Sequence, residues 1–271
     1  MADGAPLVVE HDRLERRIRD QLAALPQIHR AFLQSPDPQR VHALRRALRR
    51  LAFAQALEAA CAKAGRKPTP PVKRANRLLG RVRDLDVLRL RLEEERPYTL
   101  ATNADDLLAA RLFHRRQDLV IKATHALGAP PLGPYLAGAL LEDTLCSVDV
   151  GRLEAVLRDI VVRQDRKLRR ALRANTPMGP RAQHRLRRRA RRLRYAVELL
   201  AGDAASHAYM DRLAELHSTL GDAHDRHVQK RIVRRLLPEG EISSLDFHAT
   251  MDAAQLRVLG DRLPKLPDAL A

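Results

Sequence analysis

One helix is written twice in this chain. Residues 41–51 carry His42, Arg45, Arg46, Arg49 and Arg50, and residues 183–193 carry His184, Arg187, Arg188, Arg191 and Arg192 at the same relative places, 142 positions later (184 − 42). At about 100° per residue, His42, Arg45, Arg46 and Arg49 share one side of an α-helix, while Leu44, Leu48 and Leu51 share the other. The second copy sets Leu186, Ala190, Leu193 and Val197 opposite its own His and Arg row, with Tyr195 at the far end of the cationic face. Each copy has one wall to bury and one cationic wall. Leu79-Gly80 with Asp84 and Leu220-Gly221 with Asp225 repeat at nearly the same offset, 141 (221 − 80), which points to two half-domains.

The apolar content of 45% supplies a core, but only 3% of residues are aromatic and none is Trp. Such a core is built mostly of Leu, Ala and Val, which favours helix packing over a sheet sandwich. No run of alternating apolar and polar residues argues for a strand. The spacing predicts a helix over about 10–33 interrupted at Pro26, then the first His/Arg helix to about 64. A third helix opens at Pro70 or Pro71 and stops before Pro97, and a fourth covers about 103–127. A short apolar helix, 135–148, is the expected join. The second half reads as a helix over about 152–174, the second His/Arg helix, and a further helix from Ser206. The expected fold is all-α: one domain over 7–260, made of two pseudo-symmetric four-helix units, about 7–130 and 150–260. Each unit buries its own apolar faces, and the cationic walls meet around a shared cleft.

Charge narrows the partner. The chain has 50 basic and 33 acidic residues, a net charge of +17 and a pI near 11.0, which predicts a polyanion. Only seven of the basic residues are Lys, and Arg suits phosphate because its planar fork binds two oxygens and keeps its charge. Two further rows, Lys73/Arg77/Arg81 and Arg163/Lys167/Arg170, stand at helical spacing. Cys61 and Cys146 are too few for a disulfide framework or a zinc site. No stretch approaches the roughly 20 apolar residues of a membrane span, and the first thirty lack the apolar core of a signal peptide. The expectation is a soluble cytoplasmic protein. It needs no cofactor and has no catalytic set, because neither a metal-holding carboxylate group nor a phosphate-loop motif is present. His224-Asp225-x-His227 lacks the further ligands of a metal site. Asp84 and Asp225 are expected to orient Arg, and Gly80 and Gly221 to permit close helix approach or a local break.

These motifs resemble the signature of the CHAD family, named for conserved histidines on an α-helical domain. The segments that carry the resemblance are His42-x-x-Arg45-x-x-x-Arg49-Arg50, Lys73-x-x-x-Arg77-x-Leu79-Gly80 continuing to Arg83-Asp84, His184-x-Leu186-Arg187-x-x-x-Arg191-Arg192-Leu193-Arg194-Tyr195, and Leu220-Gly221-x-x-x-Asp225. The resemblance covers nearly the whole chain in order. It implies two helical bundles around a basic cavity that binds inorganic polyphosphate, with some members at polyphosphate granules. On that reading the ligand is held by His42, Arg45, Arg46, Arg49, Arg50, Lys73, Arg77, Lys167, His184, Arg187, Arg188, Arg191, Arg192 and Arg194. The chain departs from the usual pattern at Ala52 and Ala214, where the family has Arg and Lys, and at His217 and His224, where Gln and Asn are more usual. Arg46 and Arg188 stand at positions that are commonly apolar. A general nucleic-acid binder is the rival reading, weakened by the scarcity of aromatic groups on which bases stack. An enzyme acting on phosphoanhydride bonds is the less favoured alternative.

Overall fold

Proline sets several of the helix boundaries. The computed structural model describes residues 5–61, 70–95, 103–136, 149–174, 178–237 and 253–271. Pro26 stands in the first turn of α2 (Leu25–Gln34), where a missing N–H is no loss, and Ala24 separates it from α1 (Ala5–Ala23). The helices α3 (Pro38–Cys61), α4 (Pro70–Glu95) and α8 (Pro180–Leu200) each begin on proline. The others are α5 (Asn103–Gly128), the single-turn α6 (Leu132–Pro134), α7 (Val150–Arg173), α9 (Ala204–Leu236) and α10 (Ala253–Asp261). Asp149 and Asp203 cap α7 and α9 by accepting the backbone N–H of Gly151 at 3.0 Å and of Ser206 at 2.7 Å.

The fold is all-α, with no strand among the described residues. No helix among them is long and apolar enough to cross a membrane. The apolar helix expected over 135–148 lies, from residue 137 onward, outside the described residues, as does the expected end of α3 beyond Cys61.

The leucine rows of the two copied helices go where their spacing sends them. Leu44, Leu48 and Leu51 are fully buried, and so in effect are Leu186, Ala190, Leu193 and Val197. Each fully buried leucine contributes about 1.5–3 kcal/mol. Chain neighbours pack in sequence, α2 on α3 on α4 on α5, and α7 on α8 on α9, with α10 laid against α7. Here the structure departs from two separately buried units, because one continuous apolar cluster runs from Leu14 to Leu270. The physical reason is α1. It buries Leu14, Ile18 and Leu22 and touches α3, α7 and α8, while α3 also packs directly on α7 and α4 on α9. The two copies are thereby held at a fixed mutual distance.

Buried polar links fix the helices further. Arg116 Nε donates to the fully buried Asp86 at 2.6 Å, joining α5 to α4. The Tyr209 hydroxyl donates to Asp165 at 2.6 Å, beside the Arg169–Asp165 ion pair at 2.8 Å, joining α9 to α7. His29 reaches the Leu127 carbonyl at 3.1 Å and ties α2 to the end of α5.

Candidate anion-binding site

The copied helices place their central arginines on glycine. Arg45 of α3 lies across Gly80 of α4, where a Cβ would stand 3.4 Å from Nη2, and Arg187 of α8 lies across Gly221 of α9 at the same 3.4 Å. In neither case does the glycine break its helix; it makes room for a guanidinium. Both Nε groups are buried without a hydrogen-bond partner, so the outer nitrogens carry what polar contacts these arginines make. Four residues beyond each glycine comes a carboxylate on the same face, Asp84 and Asp225. Arg187 Nη1 donates to Asp225 Oδ1 at 3.4 Å, and Asp84 is coupled electrostatically to Arg45.

The two units meet. Arg45 and Arg187 act on each other, as do Asp84 and Asp225, and one turn further along α3 and α8 Arg49 and Arg191 join them. Burial, reinforced by Arg45, Arg191 and Arg187, pushes the Arg49 guanidinium down to about 9. Burial, with Arg187, Arg45 and Arg188, pushes Arg191 down to about 10. Burial also raises both Asp84 and Asp225, against the pull of their arginines. In this poorly hydrated place guanidiniums outnumber carboxylates. An anion would relieve that imbalance.

Imidazoles border this cluster. His42 is exposed; partial burial and then Arg83, Arg46, Arg45 and Arg49 lower its pKa. His184 is likewise exposed and lowered, and its ring centroid stands 4.8 Å from that of His224. Burial, with the neighbouring Arg187 foremost among the charges, takes His224 down to about 4 and His217 to about 3. The His217 Nε2 is buried without a partner. All four rings are therefore neutral near pH 7 and can each donate one hydrogen bond to an oxygen anion.

Other residues expected at the site have different places. Arg46 and Arg188 are exposed beside His42 and His184. Arg50 is engaged by Glu198 across the α3–α8 seam and acts as a strut between the halves. Arg192 faces Arg163 and Asp159 of α7, away from the paired arginines of α3. Arg194 stands 5.9 Å over the Tyr195 ring and acts on His217. Tyr195 stands at the end of the cationic face, where it acts on Arg49 and Arg191, and it is also buried at the α3–α8 seam, packing on Phe53 at 5.7 Å. Lys73 and Arg77 on α4 and Lys167 on α7 are exposed and lie outside the buried cluster. Arg83 and Arg231 enter the electrostatics of the site although neither was among the residues expected to hold the ligand. For Arg83 a signal existed, since it is the counterpart of His224 at the 141-residue offset.

A cavity of about 610 Å³ adjoins the cluster and shares Asp84 with it, but its lining comes from α4, α5 and α9, not from α3 or α8. Among the described residues, no three His, Cys, Asp or Glu side chains form a group that could hold a metal ion.

Comparison with known proteins agrees with this geometry at the level of the fold. A family model described as the CHAD domain matches residues 16–234. The crystal structure of the CHAD domain from the plant Ricinus communis superposes with a TM-score of 0.67 at 21% identity, covering 94% of this chain and 92% of that one. No curated protein gives a significant match.

Proposed function

Because this chain belongs to the CHAD domain family, we propose that its central cluster binds inorganic polyphosphate and leaves the phosphoanhydride bonds intact. The observation that carries this reading is the convergence of Arg45, Arg49, Arg187 and Arg191, whose mutual repulsion Asp84 and Asp225 offset in part. A linear polyanion without bases offers charge and acceptor oxygens and nothing else. Arginines one helical turn apart, about 5.4 Å, supply repeated fork donors for such a chain. Neutral His42, His184, His217 and His224 add donors without adding repulsion.

The burial of Tyr195 against Phe53 favours polyphosphate over nucleic acid, since it takes the one aromatic near the cationic face of these helices out of any stacking role. The ion pair of Asp225 with Arg187 and the place of Asp84 beside Arg45 favour binding over catalysis, since each carboxylate already faces a guanidinium. The proposed setting is the cytoplasm, at polyphosphate granules where these form.

The test is titration of the purified protein with long-chain polyphosphate across a salt series, with duplex DNA and single-stranded RNA in parallel. Preference for polyphosphate at each salt concentration, lost in the Arg49→Met/Arg191→Met variant, supports the reading. Equal and steeply salt-dependent binding to all three would reduce the cluster to a general basic surface. Phosphate release over many turnovers with magnesium would make the protein an enzyme.

A further inference from the structure

Beside the central cluster, three helices raise an arginine rim over an aliphatic floor. Arg81 of α4 is followed one turn later by Leu85, and Arg115 of α5 by Leu119, while on α9 Arg231 and Arg235 alternate with Val228 and Ile232. The four arginines are exposed; Leu85, Leu119 and Val228 are buried and Ile232 half-buried. Arg115 stands 4.0 Å from Asp118, at the limit of an ion pair. Asp84 closes the inner end, where it also faces Arg45 and Arg231.

The chemistry of the enclosed space differs from that of the cluster. Inorganic polyphosphate has no group that covers an aliphatic floor, and binding it there would leave that floor wet. A carboxylate at the inner end repels phosphate and accepts hydrogen bonds from hydroxyl or amino groups. The ordering this imposes is an organic body inward and phosphates outward at the rim. A volume of about 610 Å³ falls within the usual range for small-molecule sites. Guanidinium planes, besides gripping phosphate, stack on the faces of bases.

We propose that this α4–α5–α9 cavity is a second site, which binds a nucleoside di- or triphosphate with its base and sugar over Leu119, Val228 and Ile232, its phosphates on Arg115 and Arg235, and its hydroxyl or amino donors toward Asp84. The site is independent of whether the central cluster binds polyphosphate.

The experiment is equilibrium titration of the full chain, and of its Arg49→Met/Arg191→Met variant, with ATP, tripolyphosphate and adenosine. In the variant background the central cluster adds little to the signal. ATP is expected to bind about tenfold or more tightly than either tripolyphosphate or adenosine. Arg115→Ala/Arg235→Ala, at exposed positions, is expected to weaken ATP about tenfold or more and to leave long-chain polyphosphate binding in place. Ile232→Gln is expected to weaken ATP and not tripolyphosphate. Equal affinity for ATP and tripolyphosphate, indifferent to Ile232→Gln, would overturn the proposal and make the cavity a continuation of the inorganic path. Absence of ATP binding from a folded protein that still binds polyphosphate would overturn it as well.

Discussion

The α3/α4 pair and the α8/α9 pair are two solutions to one problem, and they differ in which charge they leave adjustable. Both rest an arginine on a glycine and set an aspartate four residues beyond. At the 141-residue offset, however, His224 of α9 stands where α4 has Arg83, and His217 where α4 has Asn76. Arg83 is a permanent cation beside His42, and Asn76 is committed to the Leu48 carbonyl at 3.2 Å. His224 instead stacks near His184, and His217 is enclosed among Arg187, Arg194, Arg191 and Arg49. The second half carries two more imidazoles than the first, at places where the first has a permanent cation and a neutral amide. A repeat can therefore conserve the seating of an arginine on a glycine while its copies differ in the groups around it.

The largest effect should come from the residues the halves share. Arg49→Met/Arg191→Met keeps the apolar stems and removes two guanidiniums, and is expected to weaken polyphosphate binding about a hundredfold, roughly tenfold for each. Titration of the single variants tests the equivalence of the halves: similar losses support it, and a loss confined to one breaks it. The same double variant should melt no lower than the wild type without ligand, since mutual repulsion is removed with the charges.

Next comes pH. His217 and His224 have folded values of about 3 and about 4, below the ordinary 6.5. Above pH 6.5 neither folded nor unfolded chain holds these protons, and the two rings do not affect stability. As pH falls from 6.5 towards 4, the unfolded chain takes up protons that the folded one refuses, so stability without ligand declines. A bound polyanion reverses the refusal. Affinity should rise several-fold between about pH 7 and pH 5, and His217→Gln/His224→Gln should flatten the rise. Asp84 and Asp225 are raised and lose charge on acidification too, so the difference between wild type and the double His variant isolates the imidazoles. An unchanged slope would deny the second half its proposed role.

A smaller asymmetry follows from the carboxylates. Arg187 reaches Asp225 at 3.4 Å, whereas Arg45 and Asp84 are coupled through space alone. Asp225→Asn should lower the melting temperature more than Asp84→Asn, by a few degrees, as calorimetry would show. The smallest effect belongs to the glycines. Gly80→Ala and Gly221→Ala put a Cβ about 3.4 Å from a flexible guanidinium tip. The gain in helix propensity, about 0.5–1 kcal/mol, should raise stability while affinity changes within about twofold, equally in both halves.

Much of this was legible before any coordinates. The period of Leu44, Leu48 and Leu51 marks the buried wall of α3, Pro26 marks an interruption and Pro70 a helix start, because local sterics alone decide them. The nearly equal offsets of His42/His184 and Gly80/Gly221, 142 and 141, matched α3 with α8 and α4 with α9. The site was legible in its centre and less so at its edges. Arg50 and Arg49 are adjacent on the same cationic helix, and nothing in their spacing shows that Arg50 meets Glu198 of α8 while Arg49 faces Arg191. Tyr195 ends the cationic stripe as its period says, but its cover by Phe53 of α3 comes from a helix far away in the chain.

By itself, then, the sequence determined the helices, their buried walls and the two cationic faces, because periodicity and helix-capping chemistry act over a few residues. Tertiary structure alone decided that the apolar faces join in one core through α1, which arginines of the two cationic walls face one another, and that α4, α5 and α9 line a separate cavity. Those outcomes depend on the distances and angles between elements far apart in the chain. They are fixed by how surfaces pack, and no local spacing encodes them.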